Sequence, residues 1–97
     1  MIGSFANNGT RDVFRVELTK EARKILPVNL HAIAKRKLDH LDYAKSVQDL
    51  KWPPGNRLEK LKGDFKDFYS IRINEKWRII FMWEASQATN VQIIDYH

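Results

Sequence analysis

Apolar positions follow one period in the first half of the chain and another in the second. After Pro27 they recur at spacings of three and four residues, which predicts a helix with one buried stripe. The stripe consists of Leu30, Ile33, Ala34, Leu38 and Leu41. Pro53 and Pro54, followed by Gly55, end the helical region because proline lacks the backbone N–H that a helix requires.

Weaker signals surround this helix. Residues 1–5 are predicted to form a short edge strand, and residues 7–9, with the sequence Asn-Asn-Gly, a turn. Thr10 is the predicted N-cap of a short helix that ends near Leu18. A further helical turn is predicted over residues 46–50.

Beyond Gly55 the pattern favours short strands joined by turns. The predicted strands cover residues 57–61, 68–73, 77–83 and 91–94, with a turn at 62–64 and a polar loop over 85–90. Helices followed by an antiparallel meander predict an α+β domain, in which the helices pack on one face of a small sheet. The length of 97 residues predicts a single domain spanning 1–97.

The central hairpin has a register that bears on function. If Tyr69 and Ile71 face the helices, Arg72 faces away. Arg78 is the hardest residue of the next strand to bury, and an outward position for it requires a loop of odd length, such as residues 74–76. Arg72 then lies opposite Arg78, and opposed like charges are destabilising unless an anion lies between them. This register predicts an arginine pair suited to phosphate on the open face of the sheet, whereas the other register turns Arg78 inward.

The charge balance bears on the choice of partner. Lysine and arginine number 17 against 12 aspartates and glutamates, which gives a net charge of +5. This excess favours a polyanionic partner, such as nucleic acid, an acidic protein or a membrane surface, or else serves solubility. The chain has no cysteine, no visible signal peptide and no segment approaching about 20 apolar residues. We therefore expect a cytoplasmic protein that does not act on membranes.

Three side chains able to carry protons stand at the end of the chain. Asp95, Tyr96 and His97 follow an apolar, β-branched run, and a strand held in a sheet can fix its end. Histidine titrates near pH ~6.5, whereas a tyrosine phenol needs nearby cations to act as a base. The arginine pair would supply those cations. The alternative is a solvated terminus beside solvated charges on the sheet.

The other polar and aromatic candidates favour structural roles. His31 and His40 lie nine residues apart on the predicted helix and therefore about 180° apart around it, so they cannot share a metal ion. The sequence has no zinc motif and no glycine-rich phosphate loop, and no metal or cofactor is expected. Trp52, Trp77 and Trp83 are predicted to serve the core, with Trp52 partly exposed.

Several short segments stand in a specific order along the chain. They are Pro53-Pro54-Gly55-Asn56-Arg57-Leu58-Glu59, Leu61-Lys62-Gly63-Asp64, Tyr69-Ser70-Ile71-Arg72-Ile73-Asn74, Trp77-Arg78-Ile79 and Ile94-Asp95-Tyr96-His97. Together with the N-terminal residues 1–5 and the helical residues 36–41, they resemble the HigB-type toxins of the RelE/ParE superfamily of bacterial toxin–antitoxin systems. The resemblance extends over essentially the whole chain.

This resemblance implies a fold, an activity and partners. It implies a compact α+β toxin that cleaves mRNA on the ribosome without a metal ion, so that the ribosome and mRNA are partners. It also implies neutralisation by a HigA-type helix-turn-helix antitoxin, whose complex with the toxin binds operator DNA.

The resemblance also assigns residues. Five positions match catalytic residues of the family: Lys62, Arg78, Asp95, Tyr96 and His97. Asn74 stands where some HigB toxins have a catalytic arginine, and Arg72 is the predicted substitute. Glu59 and Phe65 stand where relatives have histidine and arginine. The residues predicted to bind RNA are Lys60, Lys62, Arg72 and Lys76.

Two other functions fit the same charge and fold. A ParE-type toxin that inhibits DNA gyrase shares the fold but needs no acid–base terminus. A simple nucleic-acid-binding module needs basic charge and aromatic side chains but no chemistry.

Overall fold

Three α-helices pack against one face of a four-stranded antiparallel sheet in the computed structural model, which describes residues 1–95. The α-helices are α1 (Asn8–Phe14), α2 (Lys20–Ile25) and α3 (His31–Tyr43). The strands are β1 (Glu59–Lys60), β2 (Tyr69–Arg72), β3 (Trp77–Glu84) and β4 (Gln87–Asp95). Short 3-10 turns cover Val28–Leu30, Val47–Lys51, Pro54–Asn56 and Gly63–Phe65. The predicted α+β class is confirmed.

The long helix follows the predicted pattern. Ala34, Leu38 and Leu41 are fully buried in the core, and Leu30 and Ile33 pack against it. The predicted helical turn near Ser46 is also present, as the 3-10 turn Val47–Lys51. Its capping box joins the Ser46 and Asp49 side chains to each other's backbone N–H groups.

The N-terminal helical region differs from the prediction, which placed one helix after a Thr10 cap. The N-cap is Asn7, whose side-chain oxygen accepts from the Thr10 N–H at 2.8 Å. The Thr10 hydroxyl is buried and instead accepts from the Ile93 N–H of β4 at 3.0 Å. The helix therefore begins at Asn8, within the predicted turn, and a second helix that was not predicted begins after its own cap, Thr19.

The N-terminal residues run alongside β4. Isolated parallel bridges join Ile2 to Ala88 and Phe5 to Val91. The segment is thus placed as the predicted edge strand would be, but it pairs at separate points rather than as a continuous strand.

The sheet has the order β1-β2-β3-β4, which is the predicted antiparallel meander. The predicted polar loop over residues 85–90 is wrong, because β4 begins at Gln87. Ala85 and Ser86 have φ values of 50° and 64°, so these two residues alone complete a tight hairpin turn. The polar residues that follow the turn therefore belong to the strand.

Alternation along the strands separates the core from the opposite face of the sheet. Ile71, Ile79, Phe81 and Ile93 point to the helices and form the main core with α3. Arg72 and Arg78 are register partners and lie on the opposite face. The predicted outward register of the hairpin is confirmed.

Candidate functional site

The arginine pair lies at one end of the sheet, on the face opposite the helices. Arg72 ends β2, Arg78 stands directly opposite it in β3, and Ile94 of β4 pairs with Arg78 on the other side. Although it is on this outer face, Arg78 is only 7% exposed. The site is therefore a partly buried pair of guanidinium groups rather than a flat, solvated cationic surface.

Neighbouring side chains hold Arg78 in place. Its Nη1 atom donates to the Ser70 hydroxyl at 3.0 Å and to the Glu59 carboxylate at 3.2 Å. Ser70 and Glu59 are themselves register partners in β2 and β1. The contact of Glu59 with Arg78 was not predicted, because it depends on the register in which β1 pairs with β2.

Arg72 has the arrangement expected of an anion-binding group. Within residues 1–95 it makes no ion pair, and its buried Nε atom has no hydrogen-bond partner there. A buried N–H group without a partner costs free energy, more so on a charged group. A phosphate bound to the guanidinium group would offset this cost and would reduce the repulsion from Arg78.

The hairpin loop beside the pair depends on Asn74, the position at which some HigB toxins have arginine. The Asn74 side-chain oxygen accepts from the N–H groups of Lys76 and Trp77 at 2.9 and 2.8 Å. Asn74 is therefore used to shape the loop, and the two arginines that stand in register beside it are Arg72 and Arg78.

Lys62 lies in a different hairpin, in the connection between β1 and β2. It precedes Gly63, which has a φ of 67°, in the turn after β1. The preceding Leu61 N–H donates to the Phe68 carbonyl, and Phe68 is four residues from Arg72, about 13 Å of extended strand. The structure therefore does not place Lys62 beside the arginine pair, although its exposed side chain is free to extend towards a long substrate.

The remaining predicted RNA-binding lysines flank the sheet. Lys60 pairs in register with Tyr69, on the helix-facing side, and its Nζ atom lies 4.7 Å from the Tyr69 ring centre. The Lys76 Nζ atom lies 3.6 Å from the Asp95 carboxylate, at the same end of the sheet as the arginine pair. Lys76 is thus near the pair, whereas Lys60 lies on the other face.

Asp95 is the last residue described. Its register partner is Trp77, so it shares the helix-facing parity of Ile93 and not the parity of Arg78. Strand β4 nevertheless finishes at the same end of the sheet as the arginine pair. Tyr96 and His97, to which the sequence assigned proton transfer, lie outside the described residues.

The remaining histidine and tryptophan candidates were predicted to have structural roles. The His31 ring contacts the Leu26 carbonyl at 2.8 Å, which is a structural role. Trp77 and Trp83 pack against the core as predicted, whereas Trp52, which was also predicted to serve the core, is 73% exposed. Within residues 1–95 no three His, Asp or Glu side chains come together as metal ligands. No helix in that range combines the length and the hydropathy needed to cross a bilayer.

Comparisons with known proteins match both the sequence and the fold. Residues 4–97 match the family model described as the RelE-like toxin of type II toxin–antitoxin system HigB. Toxin HigB-1 of Vibrio cholerae is 40% identical over 70 residues, which are 72% of this chain and 74% of that protein. An uncharacterised protein of Haemophilus influenzae is 35% identical over 68 residues, 70% of this chain and 67% of its own.

Solved structures support the fold independently. The YoeB–YefM complex of Staphylococcus aureus contains a chain that superposes with a TM-score of 0.61 at 14% identity, covering 100% of this chain and 98% of that one. A heterotetrameric YoeB–YefM complex from the same organism gives the same values. At this identity the likeness concerns the fold alone.

Proposed function

The chain belongs to the HigB family of RelE-like toxins from type II toxin–antitoxin systems, and we propose that it cleaves mRNA on the ribosome. The observation that carries the proposal is the Arg72–Arg78 pair on the open face of the sheet. The register places two positively charged side chains opposite each other, and their repulsion is destabilising. An RNA phosphate bound between them would offset this repulsion.

The proposed reaction is attack of an RNA 2′-hydroxyl on the adjacent phosphate, which requires RNA rather than DNA. Arg72 and Arg78 bind the phosphate oxygens and stabilise the charge that develops on them in the transition state. Ser70 and Glu59 keep the Arg78 side chain in position through their hydrogen bonds to Nη1. Because a domain of 97 residues is too small to build a deep cleft, the ribosome would position the mRNA against this face.

Proton transfer is assigned to the C-terminal residues. Tyr96 and His97 are the general base and general acid, which remove the proton of the 2′-hydroxyl and protonate the leaving oxygen. Asp95 has the role of a positioning residue, since it follows Ile94, the partner of Arg78, and is bound to Lys76. No metal ion takes part in the proposed reaction.

The lysines serve the RNA on either side of the cleaved bond. Lys76 lies at the arginine end of the sheet, and Lys62 lies at the other end of the β1–β2 hairpin. Lys60 contributes charge at the edge strand. Contacts of this kind add salt-dependent affinity for the RNA backbone without sequence preference.

The toxin is proposed to be neutralised by a HigA-type helix-turn-helix antitoxin, and the resulting complex to bind operator DNA through the antitoxin. The net charge of +5 favours an acidic partner and speeds its capture. The YoeB chain similar in fold is itself found in a complex with YefM.

The experiment is mRNA cleavage in a translating extract, compared with the same mRNA without ribosomes. Arg78→Ala and a chain lacking His97 should each lose cleavage, whereas Arg15→Ala, an exposed arginine of the helical layer, should cleave like the wild type. Wild-type cleavage by both variants would overturn the assignment of roles. A DNA-damage response on expression, without mRNA cleavage, would favour the gyrase-inhibiting alternative.

A further inference from the structure

A groove with a volume of about 530 Å³ opens between α1, the segment that follows it, and α3. It lies in the helical layer, whereas the arginine pair is on the opposite face of the sheet. Its lining is mostly apolar, with charged groups at its edge. The lining includes Val13, Val16, Leu18, Val28, Lys35 and Arg36.

The turn that borders this groove carries a residue in an unfavourable conformation. The Glu17 N–H donates to the Asp12 carbonyl at 2.9 Å and the Val16 N–H to the Val13 carbonyl at 3.2 Å. These two bonds form a Schellman motif, whose left-handed position is usually glycine. Here that position is Val16, with a φ of 58°, and left-handed backbone is disfavoured for a β-branched residue.

The side chain of Val16 contributes little to the monomer in exchange for this strain. It is 75% exposed, and Leu18 and Val28, which also line the groove, are exposed as well. Backbone strain of this kind is concentrated at functional sites, including those that bind ligands. The groove therefore has the character of a docking surface.

The charges around the groove indicate the chemistry of the occupant. Two cations, Lys35 and Arg36 of α3, and one carboxylate, Glu17, line the groove, and Lys35 is already paired with Asp39 at 2.7 Å. Arg36 is exposed and makes no ion pair within the described part of the chain. A second copy of this chain, with a net charge of +5, is a poor partner for such a surface. A segment that combines apolar side chains with carboxylates is a good one.

We propose that the groove bordered by Val16, Leu18, Val28 and Arg36 is where the antitoxin docks, through an amphipathic segment that is acidic on one side. The inference rests on the proposed function only in taking the antitoxin as the partner of this chain. Apolar side chains of that segment fill the groove against Val16 and Leu18. A carboxylate of the segment pairs with Arg36.

The test is calorimetric titration of the toxin with the purified HigA-type antitoxin of its own system. Val16→Gly combined with Leu18→Ser removes the apolar contacts, while glycine suits the left-handed turn and preserves the fold. We expect this double variant to raise the Kd by at least about tenfold with no loss of thermal stability. Arg36→Glu should weaken binding by about the same factor at low salt and by less at high salt.

The matched controls lie outside the groove. Tyr43→Ser removes an apolar residue that is 81% exposed at the end of α3, and Lys51→Glu makes the same charge change as Arg36→Glu. Both should keep the Kd within about twofold of the wild type. Unchanged binding by the groove variants, or no binding of the antitoxin by the wild type, would overturn the proposal.

A membrane is the other surface that an apolar, cationic groove could meet. If the groove variants lose binding to phosphatidylglycerol vesicles while their Kd for the antitoxin is unchanged, the proposal is wrong. Calorimetry does not depend on catalysis. A toxin that binds its antitoxin through the groove but cleaves no mRNA would contradict the proposed function and leave this inference standing.

Discussion

Arg78 of the central strand donates to the Glu59 carboxylate of the edge strand at 3.2 Å, with the side chain of Arg78 almost fully buried and that of Glu59 half-exposed. The carboxylate occupies one donor of the guanidinium that is proposed to bind phosphate. It therefore stabilises the buried cation in the free toxin and competes with an anion for it.

Glu59→Gln should strengthen RNA binding. The amide keeps the shape of the side chain but removes the negative charge, and for a half-exposed pair the gain is at most about 1 kcal/mol, or about fivefold in Kd. The measurement is titration of a short single-stranded RNA at low salt. Glu84→Gln, at the far end of β3, makes the same change in net charge and should have a smaller effect. Weaker binding by Glu59→Gln would contradict this competition.

The acid sensitivity of the fold should depend in part on Asp12. The Thr19 hydroxyl, at 2.7 Å, and then the Arg11 guanidinium, at 3.1 Å, hold the pKa of Asp12 below its ordinary value of 3.8. A carboxyl whose pKa is lowered by folding stabilises the protein above its unfolded pKa, and that contribution is lost as the pH falls through the folded pKa. Asp12→Asn should therefore destabilise the toxin at neutral pH.

Urea unfolding at a series of pH values provides the check. The stability difference between the wild type and Asp12→Asn should be constant near neutrality and should shrink below pH 3.8. Asp67→Asn, which changes an exposed carboxylate, is the control and should show no comparable loss. A difference that grows as the pH falls would contradict the role given to Asp12.

Thr10→Val should destabilise the junction of α1 and β4. The valine fills the same space, but the buried Ile93 N–H loses the hydroxyl that accepts its hydrogen bond at 3.0 Å. We expect a loss of about 1–3 kcal/mol in the free energy of unfolding, measured in denaturant. Thr89→Val, whose hydroxyl bonds at the surface to Glu84, should cost much less. Equal effects of the two changes would show that the buried bond is unimportant.

Val16→Gly should raise the stability of the free toxin. Glycine adopts the φ of 58° without steric cost, and little burial is lost, so we expect a gain of about 0.5–1 kcal/mol. Denaturant unfolding measures it. Val16→Ala keeps the Cβ atom and should give little of the gain. If Val16→Gly is destabilising, the valine is not strained in the monomer.

The parts of the fold set by local periodicity were predictable from the sequence. The apolar stripe of α3 and the alternation in β2 and β3 predicted which residues form the core. The short loop between β2 and β3 predicted that Arg72 lies opposite Arg78. These features depend on residues that are close together in the chain.

The features that were missed depend on distant contacts or on unusual turn residues. Threonine is a common N-cap residue, but the hydroxyl of Thr10 accepts a hydrogen bond from the N–H of Ile93, 83 residues away. The tight turn before β4 uses Ala85 and Ser86, and the break after α1 uses Val16, where glycine or asparagine would normally mark a positive φ. The Glu59–Arg78 contact depends on which residue of the edge strand stands opposite Ser70, and the predicted strand over residues 57–61 came with no register.

The most direct test of the phosphate site is a double-mutant cycle on the arginine pair, measured as mRNA cleavage in a translating extract. Arg72→Lys and Arg78→Lys keep the positive charge but lose the planar fork, so each should reduce the cleavage rate by at least about tenfold. Because both arginines bind one phosphate, the double variant should lose less than the product of the two single losses. Wild-type cleavage by both single variants, with their fold intact, would contradict the proposal that this pair binds the phosphate that is cleaved.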